Sequence, residues 1–330
     1  MGHVASRMVS DSLESPADVA YVNIHINEDI RRIIMSVKTS ELTPVKSMGD
    51  NDSYMVDNGS GTACVHCSDA SEYFADRFAS GAVPYGKEIK DDWASLQKKI
   101  QKGDFSGIHI GDYKEISIGG NTKPVVMEVA GIDTYYNCGD QTIKHHIDFI
   151  SRDCLKGAQK YNSTDNNNGN ATKSNPWLAS ELWSFLNHET TGIIAKIPSD
   201  LKAVITDKRA LLEKRYDAKS PNLTNSNGWV WDNMGKLWIP TEREVFGSSV
   251  WSDPSWSGGG GCNIQYPIFK GGSRHLIKGE DGNGGRVAWW VASARRASSA
   301  HFCYVGGAGD ASGIAATRTD IRVAFGFRIS

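Results

Sequence analysis

The clearest pattern of hydrophobic and polar positions lies at the carboxyl end of the chain. Apolar residues occupy every odd position from 321 to 329, and Arg or small residues occupy the even positions between them. Alternation with a period of two is typical of a strand that buries one face, because successive side chains on a strand point to opposite sides. We therefore predict a strand over residues 321–329 with one buried face.

A second apolar segment, residues 286–293, carries the adjacent pair Trp289 and Trp290. Neighbouring residues on a strand point to opposite faces, so one Trp is expected in the core and the other on the opposite face. Residues 294–320, between the two predicted strands, are small, polar or charged and hold almost no large aliphatic side chains. The pattern indicates a rigid apolar frame around a surface whose side chains can be exchanged.

The middle of the chain first shows one helix and three strands. Apolar residues recur at helical spacing within residues 87–103, which predicts a helix that buries Ile89, Trp93, Leu96 and Ile100. Strands are predicted to follow over residues 107–118, 124–136 and 145–150. Residues 157–174 are rich in Asn, Ser and Gly and are predicted to form a long polar loop.

Two more helices and a hairpin are predicted next. The first helix opens with Asn175 as its N-cap and Pro176 at its first position. The second begins near Ser199, and its polar side is predicted to face solvent with Lys208, Arg209, Glu213, Lys214 and Arg215. Residues 228–231 and 236–239 are predicted to pair as a hairpin.

Residues 1–85 carry weaker signals. A strand is predicted over residues 20–26, a short helix over 28–37 and a loop over 47–62. We therefore divide the chain into a small amino-terminal region, residues 1–85, and a larger domain, residues 86–330. The mixture of short strands and few helices predicts an α+β fold with mixed or antiparallel sheets and two or more flanking helices.

Composition excludes several classes of protein. The 330 residues can bury a sizeable core, and 36 basic against 38 acidic side chains give a net charge of −2. That balance argues against nucleic acid as a partner. No apolar run approaches the ~18 residues of a membrane span, and the amino terminus lacks a secretory signal. We expect a soluble protein made in a cytoplasm, with no membrane insertion.

The six cysteines are expected to be reduced thiols, because most of them are scattered singly. Cys64 and Cys67 form a Cys-x-x-Cys with His66 inside it, which raises the possibility of zinc. A tetrahedral zinc site needs four ligands, and no second pair of ligands follows at a suitable distance. Incidental thiols are therefore preferred over a metal site.

Two groups of residues were weighed as acid–base catalysts. The first is His145 and His146 with Asp148 and Asp153; His146 and Asp148 share a face of a strand, but such a single contact is more often structural. The second is the pair Glu242 and Glu244, which do not face each other on a helix and are predicted to cap the turn or to pair with Arg243. No nucleophile elbow or phosphate-binding glycine loop is found. We expect no enzymatic activity and no cofactor.

Several short sequence segments, in the same order along the chain, resemble a known family. They are Trp93-Ala-Ser-Leu96, residues 145–153, residues 237–247, Gln265-Tyr-Pro-Ile-Phe269, Trp289-Trp-Val-Ala-Ser293, Phe302-Cys-Tyr-Val305 and Phe325-Gly-Phe-Arg-Ile329. Over residues 88–330 the chain resembles an uncharacterised, DUF6273-like domain common in bacteriophage structural proteins and in Firmicutes surface proteins. The ending also resembles the C-type-lectin-like domains of phage tropism determinants, in which a fixed scaffold displays variable side chains from the C-terminal segment.

The sequence departs from that pattern in two places. Val291 and Ala292 stand where the family often has basic residues after the Trp pair, and the displayed segment is rich in Ala and Gly. Residues 1–85 match no part of the family. The sugar-and-calcium triplet of C-type lectins is absent, so calcium is not expected.

The resemblance implies a bacteriophage virion structural protein of the receptor-binding, tail-fibre type, with residues 86–330 as a C-type-lectin-like domain. It would recognise a host-surface protein or glycan, while residues 1–85 anchor it to other virion proteins and support a homo-oligomer, with a trimer favoured. It would reside in the virion after assembly in the bacterial cytoplasm. The ligand-binding residues are predicted to be Arg295, Arg296, Ser298, Ser299, His301, Tyr304, Asp310, Thr317 and Arg318.

Two other functions remain open. One is a structural component without a receptor role, such as a head decoration or a baseplate or tail assembly protein, whose domain mediates assembly. The other is a cell-wall or glycan hydrolase, which would depend on residues such as His146.

Overall fold

The structure is a computed structural model. It describes residues 86–140, 142–255, 264–271 and 275–330 in full, together with the backbone of four strands nearer the amino terminus. The chain divides into two compact units, Met1–Tyr85 and Gly86–Ser330. An α+β fold with antiparallel sheets and few helices is confirmed for the described residues.

The amino-terminal unit contains one antiparallel sheet of four strands in the order β1-β2-β3-β4. Its strands are β1 (Val19–Ile24), β2 (Ile33–Lys38), β3 (Ser53–Asp57) and β4 (Thr62–His66). The strand predicted over residues 20–26 overlaps β1. The helix predicted over residues 28–37 was wrong where it covers β2, because the same apolar residues pair with two neighbouring strands instead.

A six-stranded antiparallel sheet forms the centre of the larger unit. Its main path runs β11-β15-β7-β6-β5, and β8 also pairs with β15. The strands are β5 (Tyr113–Ile116), β6 (Val125–Ile132), β7 (Ile147–Ser151), β8 (Ile205–Thr206), β11 (Leu237–Trp238) and β15 (Gly326–Ile329). The last strand of the chain therefore lies between strands from early and middle parts of the sequence.

Two smaller sheets also lie within the described part of the unit. The first is the antiparallel pair β9 (Arg209–Lys214) and β10 (Gly228–Asn233). The second has the order β12-β13-β14 and consists of β12 (Trp289–Ala294), β13 (His301–Val305) and β14 (Ala311–Ala315). The hairpin predicted between residues 228–231 and 236–239 was wrong, because β10 pairs with β9 and β11 pairs with β15.

The helices among the described residues of the larger unit are short. They are α1 (Trp93–Gln101), α2 (Glu181–Asn187), α3 (Ser199–Lys202), α4 (Glu242–Phe246) and α5 (Pro267–Lys270), with a 3-10 turn at Ile193–Lys196. Ser180, not Asn175, is the N-cap of α2, and its side chain accepts from Trp183 N. In the described part of the chain, no helix combines the length and apolar character that a membrane span requires.

The predicted burial side of α1 is confirmed. Asp92 caps the helix by accepting from Ser95 N, and Trp93, Leu96 and Ile100 are buried. Trp93 meets the central sheet edge-on, with ring centroids 5.7 Å from Phe149 on β7 and 5.8 Å from Phe327 on β15. Such aromatic contacts join the helix to the two middle strands of the sheet.

The two adjacent Trp residues of β12 are both fully buried. Trp289 stacks on Phe269 of α5, and its indole N–H donates to Leu276 O over 2.9 Å. Trp290 meets Tyr161 edge-on at 5.3 Å, and its indole N–H donates over 2.7 Å to the main chain. The prediction that only one of them enters the core was wrong, because β12 is covered on both faces.

The last strand is also buried on both faces, whereas the alternation predicted one buried face. Gly326 faces Trp238, and a Cβ at this position would lie 2.5 Å from that ring and from Phe149 O. Arg328 lies opposite Asp148 on β7 and is 3% exposed. A polar residue in an alternating pattern can therefore be buried when its partner lies across the sheet.

A cluster of buried charges joins the central sheet to α4. Arg328 Nε and Nη2 donate to the two carboxylate oxygens of Asp148 over 2.8 and 2.7 Å, and Tyr266 OH donates to the same carboxylate over 2.9 Å. Burial alone would raise the pKa of Asp148, but the charge and hydrogen bonds of Arg328 outweigh it and lower the pKa to about 2.

Lys208 and Glu244 form the second ion pair of this cluster, and both are fully buried. The Lys208 ammonium lies 3.8 Å from the ring centroid of Trp238 and 5.0 Å from that of Tyr266. Tyr135 OH donates to the Glu244 carboxylate. Lys208, Glu213 and Arg215 were predicted on the solvated side of a helix; they are buried around strand β9 because each finds polar partners inside the domain.

Cys154 and Cys303 are free and buried, but Cys138 is disulfide-bonded. The expectation that all cysteines are reduced was therefore wrong for Cys138, since scattered positions in the sequence do not show which thiols meet in space. The side chains of Cys64 and Cys67 lie outside the described residues.

His146 should make stability depend on pH. Its Nε2 accepts from Tyr135 N and its Nδ1 lies 2.8 Å from Lys144 O, an arrangement that fits the neutral imidazole. Burial, with the nearby Arg328 charge, lowers its pKa to about 4. A lowered folded-state pKa means that the stabilisation is complete above the unfolded-state value of about 6.5 and is lost as the pH falls towards 4.

We expect the free energy of unfolding in urea to fall by up to about 3 kcal/mol between pH 6.5 and 4 through this residue. His146→Gln should remove that part of the pH dependence, while His145→Gln, which changes the half-exposed neighbour, should retain it. Equal pH profiles for the two variants would contradict this assignment.

The Lys208 and Glu244 pair should show the cost of an unpaired buried charge. Lys208→Met leaves the Glu244 carboxylate buried without its ion-pair partner, and we expect a loss of about 3–5 kcal/mol in urea unfolding. Adding Glu244→Gln, which can still accept from Thr241 N, should recover at least about 1 kcal/mol. A double variant less stable than the single one would contradict this reasoning.

Candidate binding surface at the end of the three-stranded sheet

The residues from Arg295 to His301 connect β12 to β13, and we call them the display hairpin. Arg295 N donates to His301 O over 2.9 Å, which closes the hairpin. Ala297 has a φ of 58°, so the turn contains a left-handed residue. Five of the nine predicted ligand-binding residues lie within this hairpin.

Asn167 holds the display hairpin through hydrogen bonds from its buried side. It is fully buried; its main-chain N–H donates to Ser299 O over 2.9 Å, and its Nδ2 donates to Ser298 O over 2.9 Å and to His301 O. Residues 157–174 were predicted to be a long polar loop, and this part of it serves as a buried support. A side-chain amide is well suited to that role because it offers two donors to a turn.

Arg215 and Asn225 support the start of the same hairpin. Arg215 is fully buried, and its two terminal nitrogens each donate to Arg295 O over 3.1 Å. Asn225 Oδ1 accepts from Ala297 N over 3.3 Å. Arg296 N donates to Trp251 O over 2.9 Å. All of these bonds end on main-chain atoms of the display hairpin, so they do not depend on its side chains.

Ser298 is the predicted binding residue whose side chain helps to hold the turn. Its hydroxyl accepts from Ala300 N and His301 N over 3.2 Å each, so its side chain shapes the turn.

The other predicted residues differ in exposure: Arg296 is exposed, and Ser299 is half-buried. The turn after β14 lies next to them, because Ala316 N donates to Ala300 O over 3.0 Å, and it carries Thr317 and Arg318. Arg318 pairs with Asp320.

Trp251 and Arg295 form a stack on one face of the three-stranded sheet. The Arg295 guanidinium lies 4.9 Å from the Trp251 ring centroid, and its Nη1 lies 3.0 Å from His301 Nδ1. Gly313 leaves room for this side chain, since a Cβ there would lie 2.5 Å from Arg295 Cδ. Trp251 is 41% exposed. Sequence reasoning missed Trp251 because it lies in a loop with no periodic pattern.

The loop that carries Trp251 is held by α4. The fully buried carboxylate of Glu242 accepts from Val250 N, Trp251 N and Ser252 N over 2.8–3.1 Å. The prediction that Glu242 and Glu244 cap the turn is confirmed for Glu244, which forms a capping box with Thr241. Glu242 instead orders the loop beside the display hairpin.

Two predicted binding residues lie away from the display hairpin. Tyr304 is on the opposite face of the sheet from Arg295 and meets Trp290 edge-on at 6.3 Å. Asp310 lies at the far end of the sheet, where Gly306 N donates to its carbonyl over 2.7 Å. The fold therefore brings together Arg295, Arg296, Ser298, Ser299, His301, Thr317 and Arg318.

The residues weighed as catalysts do not form an accessible group. His146 Nε2 lies 3.7 Å from Asp148 Oδ2, but both residues are fully buried in the core. The half-exposed His145 bonds to Asp133 over 2.6 Å and stacks on Tyr136. Asp153 accepts from Gly279 N over 2.8 Å. Within the ranges that the structure describes, no group of three or more His, Cys, Asp or Glu residues is placed to hold a metal ion.

Removing the support behind the display hairpin should loosen it. Asn167→Ala deletes two hydrogen bonds to the turn, and we expect a loss of about 2 kcal/mol in stability and faster amide exchange across residues 296–301. Asn170→Ala is the matched control, because Asn170 lies in the same loop and, among the residues that the structure describes, bonds only to Thr172 and Lys173. Unchanged exchange in Asn167→Ala would show that the turn is held by other contacts.

Comparison with known families places most of this geometry in one domain. A family model described as a domain of unknown function, DUF6273, matches residues 149–328. The match begins in β7, ends in β15 and contains Asn167, Arg215, Trp251 and the display hairpin. Searches of curated proteins and of solved structures found no match. Since the matched residues make up more than half of the 330-residue chain, the protein belongs to the family of the domain of unknown function DUF6273.

Proposed function

We propose that this protein is a bacteriophage virion structural protein of the receptor-binding type. Residues 86–330 would form a C-type-lectin-like binding domain that contacts a host-surface protein or glycan through the display hairpin and the neighbouring turn at Thr317 and Arg318. The observation that supports the proposal is the way the hairpin is held: buried Asn167 and Arg215 bond to its main-chain carbonyls.

This arrangement suits a recognition surface that changes its side chains. A turn held by bonds to its carbonyl oxygens keeps its shape when exposed side chains are replaced, because the supporting bonds remain. A preorganised turn also loses little conformational entropy when it binds. The side chain of Arg296 is available for contact, since the residue is exposed and its guanidinium makes no hydrogen bond or ion pair with the residues that the structure describes.

The Trp251 and Arg295 stack supports the same role. An exposed Trp next to Arg and His side chains has the residue types enriched at binding hot spots. Residues 1–85 would attach the protein to other virion proteins and support its oligomer, which we expect to be a trimer. In this proposal the protein is assembled in the bacterial cytoplasm and resides in the virion.

The main alternative is a virion component that mediates assembly without contacting the host, such as a head decoration or a baseplate protein. In that case the display hairpin would be buried against another subunit. The hydrolase alternative has less support, because His146 and Asp148 are fully buried and Asp148 is occupied by Arg328.

Charge reversal at the hairpin tests the proposal. Arg296→Glu should lower the rate of adsorption of the particles to host cells by at least about tenfold, because contact arginines often contribute more than 1 kcal/mol. Arg286→Glu is the matched control: Arg286 is also exposed, and it precedes β12 at the other end of the sheet. Particle yield and morphology should be normal for both variants.

Two results would contradict receptor binding. Equal adsorption of the two variants would show that the hairpin does not contact the host. Loss of intact particles in Arg296→Glu alone would favour the assembly role, because a contact between subunits would then have been broken.

A further inference from the structure

A small cavity lies where β9, α4 and β12 meet, and its volume is about 20 Å³. Polar side chains from all three elements line it: Glu213 of β9, Thr241 and Arg243 at the start of α4, and Ser293 of β12. Ser252, from the loop that follows α4, is a further polar residue in its wall. A cavity of this kind differs from the apolar voids that remain dry, because its wall offers hydrogen bonds.

Glu213 contributes a buried carboxylate to this cavity, and the residue is only 5% exposed. Its Oε1 accepts from Ala294 N over 3.0 Å, directly before the display hairpin begins. Its Oε2 is buried and makes no hydrogen bond with any residue that the structure describes. A buried carboxylate oxygen without a partner is costly, because it has lost its bonds to solvent.

The charges around Glu213 do not supply the missing bond. Burial raises the pKa of Glu213, and the acidic side chains of Asp253 and Glu242 raise it further, against the opposing charge of Arg215. The terminal nitrogens of Arg215 donate to main-chain carbonyls instead. As a carboxylate, Oε2 accepts a hydrogen bond, and as an acid it can donate one. Glu213 therefore needs a partner at Oε2 in either protonation state.

Two hydroxyl groups in the wall of the cavity have a hydrogen left to donate. Thr241 Oγ1 accepts from Glu244 N over 3.2 Å, and Ser293 Oγ accepts from Glu242 N over 2.9 Å. Each hydroxyl can also donate one hydrogen bond, and neither donates to a residue within the described ranges. The cavity thus combines one acceptor, on Glu213, with two donors.

We propose that this cavity binds one ordered water molecule, which donates to Glu213 Oε2 and accepts from the hydroxyls of Thr241 and Ser293. A volume of about 20 Å³ exceeds the roughly 10–15 Å³ that one water needs, and it leaves no space for an organic ligand. Buried waters typically make about three hydrogen bonds, which is the number of partners here. Water also suits the protonated acid, because it can accept as well as donate.

The water connects two supports of the binding surface. Glu213 holds Ala294 N, at the start of the display hairpin, and Glu242 holds the loop that carries Trp251. Ser293 Oγ already accepts from Glu242 N, so a water between Ser293 and Glu213 joins both acids. The inference concerns how the surface is held, and it does not depend on what the surface binds.

A high-resolution crystal structure of the full chain tests the site directly. We expect one water peak within hydrogen-bond distance of Glu213 Oε2, Thr241 Oγ1 and Ser293 Oγ. Absence of a peak at Oε2 would overturn the proposal.

Ala292→Val tests whether the water supports the hairpin. Ala292 lines the cavity and is 5% exposed, so two added methyl groups should displace the water without removing a hydrogen-bonding side chain. We expect the water peak to disappear and hydrogen exchange at Ala294 N to become at least about tenfold faster, since Glu213 then lacks a partner.

Ala210→Val is the matched control for overpacking. Ala210 is also buried and lies on β9, but it does not line the cavity. This variant should keep the water peak and the slow exchange at Ala294 N. Equal exchange at Ala294 N in the two variants would overturn the supporting role of the water.

A small cation is the competing occupant, because Glu213 is acidic. Thermal unfolding in ammonium chloride, compared with tetramethylammonium chloride at equal ionic strength, separates the two, since only ammonium is close to water in size. Bound water predicts that the parent and Glu213→Gln respond alike to the change of salt. An ammonium-specific rise in melting temperature that Glu213→Gln loses would identify a cation and overturn the proposal.

Discussion

The cluster of buried charges around Asp148, Arg328, Lys208 and Glu244 is the interaction on which the rest of the larger unit depends. Two acids and two bases are removed from water together, and each acid has its base in direct contact. Burial of charge is tolerated only when the charges are paired and their remaining hydrogen bonds are made. Tyr135, Tyr266 and the Thr241 main chain supply those bonds.

The cluster also connects the core to the surface. Glu244 lies in α4, and Glu242 of the same helix accepts from the three main-chain N–H groups of residues 250–252. The carbonyl of Trp251 in turn receives Arg296 N from the display hairpin. α4 is only five residues long, so its position is set by these tertiary bonds more than by its own helical stability. The shape of the proposed binding surface thus depends on ion pairs in the core.

The sequence allowed a good part of the fold to be predicted, and the errors have a shared cause. The α+β class, the burial side of α1 and the strands around residues 113–151 follow from periodicity. Periodicity failed at Lys208, Glu213 and Arg215, where charged residues indicated a solvated face but lie inside the domain. A periodic pattern records polarity only, and it does not show that a residue from a distant segment will neutralise a buried charge.

In the candidate site, too, some features follow from the sequence and others follow only from the fold. The sequence by itself determined that small, polar and charged residues dominate 294–320, because local composition carries that information. It did not show that two strands lie within this segment and bury Phe302 and Val305. Only the tertiary structure decided that Asn167, Arg215 and Trp251 support and extend this surface, and that Tyr304 and Asp310 lie elsewhere. Those relations join residues far apart in the chain, and their geometry depends on how sheets and loops pack.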